Sequence, residues 1–133
     1  MISLCARSPF SFNHPLSNSC TMSEDIPAIR RSLKIKAGSA KRLFKEHNLY
    51  RQEATDQQAK LDKFKANNAE EWDIKNATRM LEESNKMIVD SASRLGKAVA
   101  DLRDVLVSAK KIPELAEDEE LMKAEEALEE ASV

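Results

Sequence analysis

The side chains of this chain that could do chemistry are mostly charged, and its cations are concentrated in one stretch. Seven basic residues lie between positions 30 and 45, namely Arg30, Arg31, Lys34, Lys36, Lys41, Arg42 and Lys45. Ammonium and guanidinium groups bind carboxylates and phosphates through charge-assisted hydrogen bonds. The stretch therefore predicts an acidic protein or a nucleic acid as ligand, unless it is simply a solvated helix face. A pI near 5.8 and only 5% aromatic residues argue against nucleic acid and favour an acidic protein.

Groups that carry out catalysis or bind metals are scarce and scattered. His14 and His47 are far apart in sequence, and both cysteines, Cys5 and Cys20, lie near the N-terminus, which is typical of a reducing compartment for the rest of the chain. There is no Cys-x-x-Cys pair and no glycine-rich phosphate loop, and acidic runs such as residues 117–120 are typical of a solvated face. The sequence therefore predicts a protein that is not an enzyme and uses no metal and no cofactor.

The charges divide into a basic first part and an acidic end. Residues 23–69 hold eleven lysines and arginines against six acids, and residues 70–113 hold eight of each. Residues 114–133 hold nine acids against the single cation Lys123. Because opposite charges attract, we expect the basic part and the acidic end to bind each other or to present opposite faces to a partner.

Two consecutive segments place apolar residues at steps that alternate between three and four. This spacing puts a stripe of side chains along one face of an α-helix, where it forms a buried seam. The first stripe is Ile26, Ile29, Leu33, Lys36, Ala40, Leu43, His47, Tyr50, Ala54, Gln57, Leu61 and Phe64. The second stripe is Ile74, Ala77, Leu81, Ser84, Ile88, Ser91, Leu95, Ala98, Leu102, Val105, Ala109 and Ile112. A charged fraction of 33% with two glycines is also typical of long helices.

These patterns predict an all-α fold, an up-down-up three-helix bundle. We expect two long antiparallel helices at about residues 25–66 and 69–111, and a shorter acidic third helix at about 114–131. Asp25 is the expected cap of the first helix and Asn68, with Glu71, that of the second. Pro113 is expected to break the second helix and to open the third.

The third helix is short, so we expect it to cover only about half of the long pair. Its apolar stripe is Leu121, Ala124, Leu128 and Ala131, with Leu115 as a weaker anchor. The rest of the pair should stay two-stranded or expose an apolar strip, and such a strip is a candidate binding surface.

Two residues interrupt the first helix pattern. His47 is expected to be a half-buried residue bonded to the neighbouring helix, in preference to a pH-sensitive residue that fixes the register. Gly38 costs about 1 kcal/mol relative to alanine within a helix. A packing contact or a partner offsets that cost, or the glycine is there by chance.

Residues 1–22 differ from the rest of the chain, and we expect a disordered N-terminal extension before a bundle domain at 23–133. They contain no acid and Arg7 as the one cation, with five serines. A transit-like peptide has such a composition, and an alternative start at Met22 is the preferred explanation. The sequence has no run of about 18 apolar residues, so it predicts no membrane-spanning helix.

Several short runs resemble the tubulin-binding cofactor A family. In the first helix they are residues 33–38 (LKIKAG) and 41–46 (KRLFKE), followed by Tyr50 and Glu53. In the second they are residues 72–75 (WDIK), 81–84 (LEES), Met87-Ile88, Arg94-Leu95 and Asp101-Leu102. Their order and spacing, with an acidic third helix, extend the resemblance over about residues 23–130.

The resemblance implies a tubulin-specific folding cofactor. Members of the family capture quasi-native β-tubulin after its release from the cytosolic chaperonin and hold it until other tubulin-folding cofactors assemble the α/β heterodimer. This role implies a cytoplasmic, cytoskeleton-associated protein with β-tubulin as its partner, and no nucleotide, metal, nucleic acid or membrane.

The matched polar positions of the first helix are the expected contacts with the partner. They are Lys34, Lys36, Lys41, Arg42 and Lys45, with Glu46, Tyr50 and Glu53 adjoining. The alternative function is a coiled-coil scaffold or adaptor that acts by helical self-association. The sequence does not distinguish a monomer from a homodimer.

Overall fold

The computed structural model describes residues 26–132, which form three α-helices and one short 3-10 turn. The helices are α1 (Ile26–Ala66), α2 (Glu71–Lys110) and α3 (Glu119–Ala131), and the turn is Pro113–Leu115. The all-α prediction is confirmed, and the ends of the two long helices were predicted to within two residues. The third helix begins at 119, which is later than the predicted 114. The expectations for residues 1–22 and for the Asp25 cap fall outside the described residues.

α1 and α2 form a long antiparallel pair along the predicted seam. Lys36 of α1 lies opposite Asp101 of α2, with 3.8 Å between Nζ and Oδ2. Farther along α1, Glu46 lies opposite Arg94, with 3.3 Å between their side chains. The residue number on α2 falls from 101 to 94 as the residue number on α1 rises from 36 to 46, so the two helices are antiparallel. Every predicted seam position is buried or half-buried except Phe64, which is 37% exposed near the end of α1.

The turn between α1 and α2 is built differently from the prediction. Asn68 has a positive φ of 51°, and its N–H bonds to the carbonyl of Lys65 while that of Ala69 bonds to the carbonyl of Phe64. This pair of bonds around a left-handed residue is the Schellman motif, which ends a helix. The prediction that Asn68 caps α2 is therefore wrong. Glu70 occupies the cap position, and its side chain makes no capping hydrogen bond.

Pro113 ends α2 as predicted, but it does not open α3. Ile112 is extended, with φ −96° and ψ 114°, because the proline ring disfavours helical geometry in the residue before it. Pro113 begins the 3-10 turn instead, and Asp118 caps α3 by accepting a hydrogen bond from the N–H of Glu120 at 2.9 Å. Leu115, expected to be a weak anchor, is 0% exposed because the turn folds it into the core.

α3 braces only one end of the long pair. The buried core is made of residues from α1, α2, the turn and α3, namely Leu33, Ala37, Ala40, Leu102, Leu106, Ala109, Leu115, Leu121, Ala124 and Ala127. At 1.5 Å per residue α3 is about 20 Å long against about 60 Å for α1, so it covers about one third of the pair. The prediction of about one half was too large because α3 starts later than expected.

Polar residues enter the positions that face α3 only farther along the long pair, beyond Phe44 of α1 and Val99 of α2. Ala37 is buried in the core, and the positions two and three heptads further along α1 are Arg51 and Gln58. On α2, Leu106 is in the core and the position three heptads earlier is Asn85. Arg51, Gln58 and Asn85 all line a shallow surface groove between the two helices. The uncovered strip is therefore mixed, since these polar side chains share the groove with Ala54, Leu81 and Ile88.

Candidate partner-binding surface

Four of the predicted cations on α1 form no ion pair with the rest of the described bundle. Lys34, Arg42 and Lys45 are exposed and Lys41 is half-buried. Within residues 26–132 none of the four has a carboxylate within 4.0 Å, although ion pairs elsewhere on the bundle reach that distance. Their charges are therefore available to a partner.

Two cations of the same stretch are used inside the bundle. The Nζ of half-buried Lys36 lies 3.8 Å from the Oδ2 of Asp101 on α2. Arg30 pairs through its Nε with Asp118, which ties the start of α1 to the start of α3. Lys36 was already part of the predicted seam, whereas the pairing of Arg30 depends on where α3 docks.

The three remaining predicted contact residues fall into two places. Glu46 and Tyr50 join a network across the helix pair, in which Glu46 Oε1 accepts from the Tyr50 hydroxyl at 3.1 Å and from Arg94 at 3.3 Å. The hydrogen bond to Glu46 raises the pKa of Tyr50 above its ordinary value of 10.0, because the phenolate would face a carboxylate, and burial adds to the rise while Arg94 opposes it. Glu53 is exposed beyond this network.

A second stripe of α1 was not recognised in the sequence. It follows the steps four, three, four, three and four along the exposed side of the helix, and we call it the outer stripe: Arg31, Ile35, Gly38, Arg42, Lys45 and Leu49. All six residues are exposed, and Ile35 and Leu49 are both 60% exposed. Since only two of its six members are large and apolar, a search for an apolar repeat does not reveal it. The steps of three and four residues that lead from Ile35 to Leu49 could have revealed it.

Most other large apolar side chains on the surface are dispersed over α2 and α3. Trp72 is 71% exposed at the start of α2, and Val89 and Val107 are 71% and 51% exposed on its middle and last part.

No group of three metal-binding side chains occurs in the part of the chain from 26 to 132. Nor does any helix in that range have the length and apolar character needed to cross a membrane.

The arrangement can bind a protein surface. The outer stripe combines cations that form no ion pair within residues 26–132 with two exposed aliphatic side chains. The fold and this surface together define a helical-bundle protein whose exposed face suits the binding of another macromolecule.

Comparisons with known proteins agree with that class and narrow it. A sequence model of the family "Tubulin binding cofactor A" matches residues 28–128. Tubulin-specific chaperone A of Rattus norvegicus is 43% identical over 90 residues, which are 68% of this chain and 83% of the relative. The chain belongs to the tubulin binding cofactor A family.

Two solved structures share the fold. The crystal structure of tubulin folding cofactor A from Arabidopsis thaliana superposes with a TM-score of 0.74 at 32% identity, covering 79% of this chain and 96% of that one. Human tubulin chaperone cofactor A gives a TM-score of 0.69 at 37% identity, covering 79% and 99%. The resemblance noted in the sequence is thereby confirmed.

Proposed function

We propose that this protein is a tubulin-folding cofactor that captures quasi-native β-tubulin after its release from the cytosolic chaperonin. It holds the subunit until other tubulin-folding cofactors take it into the α/β heterodimer. The observation that carries the proposal is the set of α1 cations that have no ion pair among residues 26–132, in a member of this family. The protein would act in the cytoplasm, close to the cytoskeleton, without nucleotide or metal.

The proposed contacts with an acidic surface of the client are the four cations without an ion pair in the described part of the chain, namely Lys34, Lys41, Arg42 and Lys45. Charge complementarity of this kind raises the association rate and selects the partner more than it raises affinity. Modest affinity suits a protein that must hand its client on. Lys36, Glu46 and Tyr50 support this surface from within, because each is bonded inside the bundle.

The first test is binding of the full chain to freshly folded β-tubulin and, separately, to α-tubulin, followed by gel filtration. A complex with β-tubulin alone supports the proposal. A folded, helical protein that binds neither subunit and elutes as an oligomer would instead favour the scaffold function.

The second test reverses charge on the proposed surface. The variant Lys41→Glu with Arg42→Glu should bind β-tubulin about tenfold more weakly at low salt, and added salt should weaken the wild type as well. The matched control is Lys97→Glu with Arg103→Glu, which changes two exposed cations of α2 at nearly the same level of the rod. If both variants have the circular dichroism spectrum of the wild type and bind β-tubulin as well as the wild type does, the proposal that this surface contacts the client is wrong.

A further inference from the structure

The two glycines of the chain have no structural reason within the described residues. Gly38 lies within α1 and Gly96 within α2, and both are exposed. A Cβ atom built on either one meets nothing within 4 Å. Alanine would therefore fit at both positions and would favour the helix, since glycine is among the poorest helix formers. Packing inside the bundle thus does not account for either residue.

Gly38 differs from Gly96 in its surroundings. It lies within the outer stripe, one turn after exposed Ile35 and one turn before exposed Arg42. The residues one turn before and after Gly96 are Ser93 and Ala100, which offer neither charge nor a large apolar side chain. Gly38 is therefore a gap in a surface that is otherwise built of cations and aliphatic side chains.

We propose that an acidic amphipathic helix of the client lies along the outer stripe, with its backbone closest to α1 at Gly38. Apolar side chains of that helix would contact Ile35 and Leu49, and its carboxylates would pair with Arg31, Arg42 and Lys45. This inference rests on the proposed function and specifies how the same surface recognises its client.

The spacing of the stripe favours a helix as the occupant. Steps alternating between three and four residues are the pattern along which a second helix packs at a small crossing angle. Ile35 and Leu49 are separated by about 21 Å, or four helical turns. A residue without Cβ allows two helices to approach closely, as the enrichment of small residues at close helix contacts illustrates.

The charges oppose a symmetric contact between two copies of this chain through the stripe. All three charged members of the stripe are cations, and Lys34 beside them is exposed and has no carboxylate within 4.0 Å in residues 26–132. Two copies that met through this stripe would place cations against cations, which opposes association.

The test fills the gap at Gly38 in the full-length protein. The variants are Gly38→Ala and Gly38→Gln, with Gly96→Ala and Gly96→Gln as matched controls. Both alanine variants should melt higher by about 4 °C, since each replaces glycine in an exposed helix. Binding to freshly folded β-tubulin should fall about tenfold in Gly38→Ala and further in Gly38→Gln, and both Gly96 variants should bind like the wild type.

A second pair of variants tests the apolar contacts. Ile35→Thr with Leu49→Gln should weaken β-tubulin binding by about tenfold, whereas Val89→Thr with Val107→Thr on α2 should leave it unchanged.

The outcomes separate this inference from the function. If the wild type does not bind β-tubulin, the proposed function fails. If the wild type binds and the Gly38 variants bind equally well, the function stands and the helix-docking inference is wrong. Gly38 variants that keep full β-tubulin binding but change the size of the protein in gel filtration would give the stripe to a second copy and would also overturn the inference.

Discussion

The Nδ1 atom of His47 lies 2.9 Å from the hydroxyl oxygen of Ser91, and this contact joins α1 to α2 beyond the core that α3 braces. The Ser91 hydroxyl also lies 2.9 Å from the carbonyl oxygen of Ile88, which can only accept a hydrogen bond. A hydroxyl has one proton, so when Ser91 donates it to Ile88, His47 is the donor through Nδ1. His47 is thus bonded to the neighbouring helix, as the sequence interpretation preferred.

Removing the Ser91 hydroxyl should show how much the hydrogen bond from His47 contributes to stability. Ser91→Ala leaves the half-buried Nδ1–H of His47 without its partner, and we expect a loss of about 1 to 2 kcal/mol in the free energy of unfolding. In a His47→Leu background the same change should cost close to nothing, because no buried donor is left unpaired. Urea unfolding of the two single variants and the double variant measures the coupling, and strictly additive losses would show that the contact contributes no energy.

The pKa of Tyr50 should report the network around Glu46. Tyr50 is the single tyrosine of the chain, so its absorbance at alkaline pH reports one group. The pKa should lie above 10.0 in the folded protein and fall in Glu46→Gln, which removes the carboxylate that opposes ionisation. Because the folded pKa is raised, the stabilising contribution is complete below the unfolded pKa and is lost as the pH rises through the folded one. Identical titration curves for the two proteins would contradict the hydrogen bond.

Asp118 should stabilise α3 through two interactions. Its carboxylate caps the helix through the N–H of Glu120 and also pairs with Arg30 of α1. Asp118→Asn keeps a capping oxygen and loses the ion pair, which should cost less than about 1 kcal/mol because Arg30 is half exposed. Asp118→Ala loses both and should cost about 1 to 2 kcal/mol. Thermal melts of the two variants measure both losses of stability. Equal losses would mean that the capping hydrogen bond contributes no stability.

Leu115 should be a principal core residue of the braced end. Leu115→Ala removes a side chain that is 0% exposed, and we expect a loss of about 2 to 5 kcal/mol. Leu128→Ala is the matched control, since Leu128 is only partly buried and should cost clearly less. Urea unfolding followed by circular dichroism gives both values, and the reverse order would contradict the packing of the turn.

The long helices could be predicted because their seam repeats with one period over most of their length. A seven-residue repeat fixes which face is buried, whatever the partner helix is. The turns were harder, since asparagine serves both as a helix cap and as a left-handed residue that ends a helix. Asn68 takes the second role because its own N–H bonds to the carbonyl of Lys65 and the N–H of Ala69 bonds to the carbonyl of Phe64. The position of Leu115 depends on how the 3-10 turn docks, which local sequence does not specify.

The basic stretch of α1 was also visible in the sequence, but the division of its cations was not. Lys36 and Lys34 are two residues apart, so they point to different sides of the helix, and only Lys36 reaches α2. Glu46 and Arg94 are 48 residues apart, so their pairing requires the register of the helix pair. Arg30 was grouped with the free cations because its partner, Asp118, belongs to a helix start that the sequence placed elsewhere.

The part of the α1–α2 pair that α3 does not cover can change in length by whole heptads without disturbing the rest of the bundle. The repeats of α1 and α2 coincide there, and His47 lies opposite Ser91, so residues 52–58 and 80–86 occupy the same level. Deleting both heptads together would shorten this part of the pair by about 10 Å and leave every remaining seam residue facing its former side. Paired insertions would lengthen it by the same step. A lineage of such proteins can therefore change how far the tip extends from the braced end without redesigning its core.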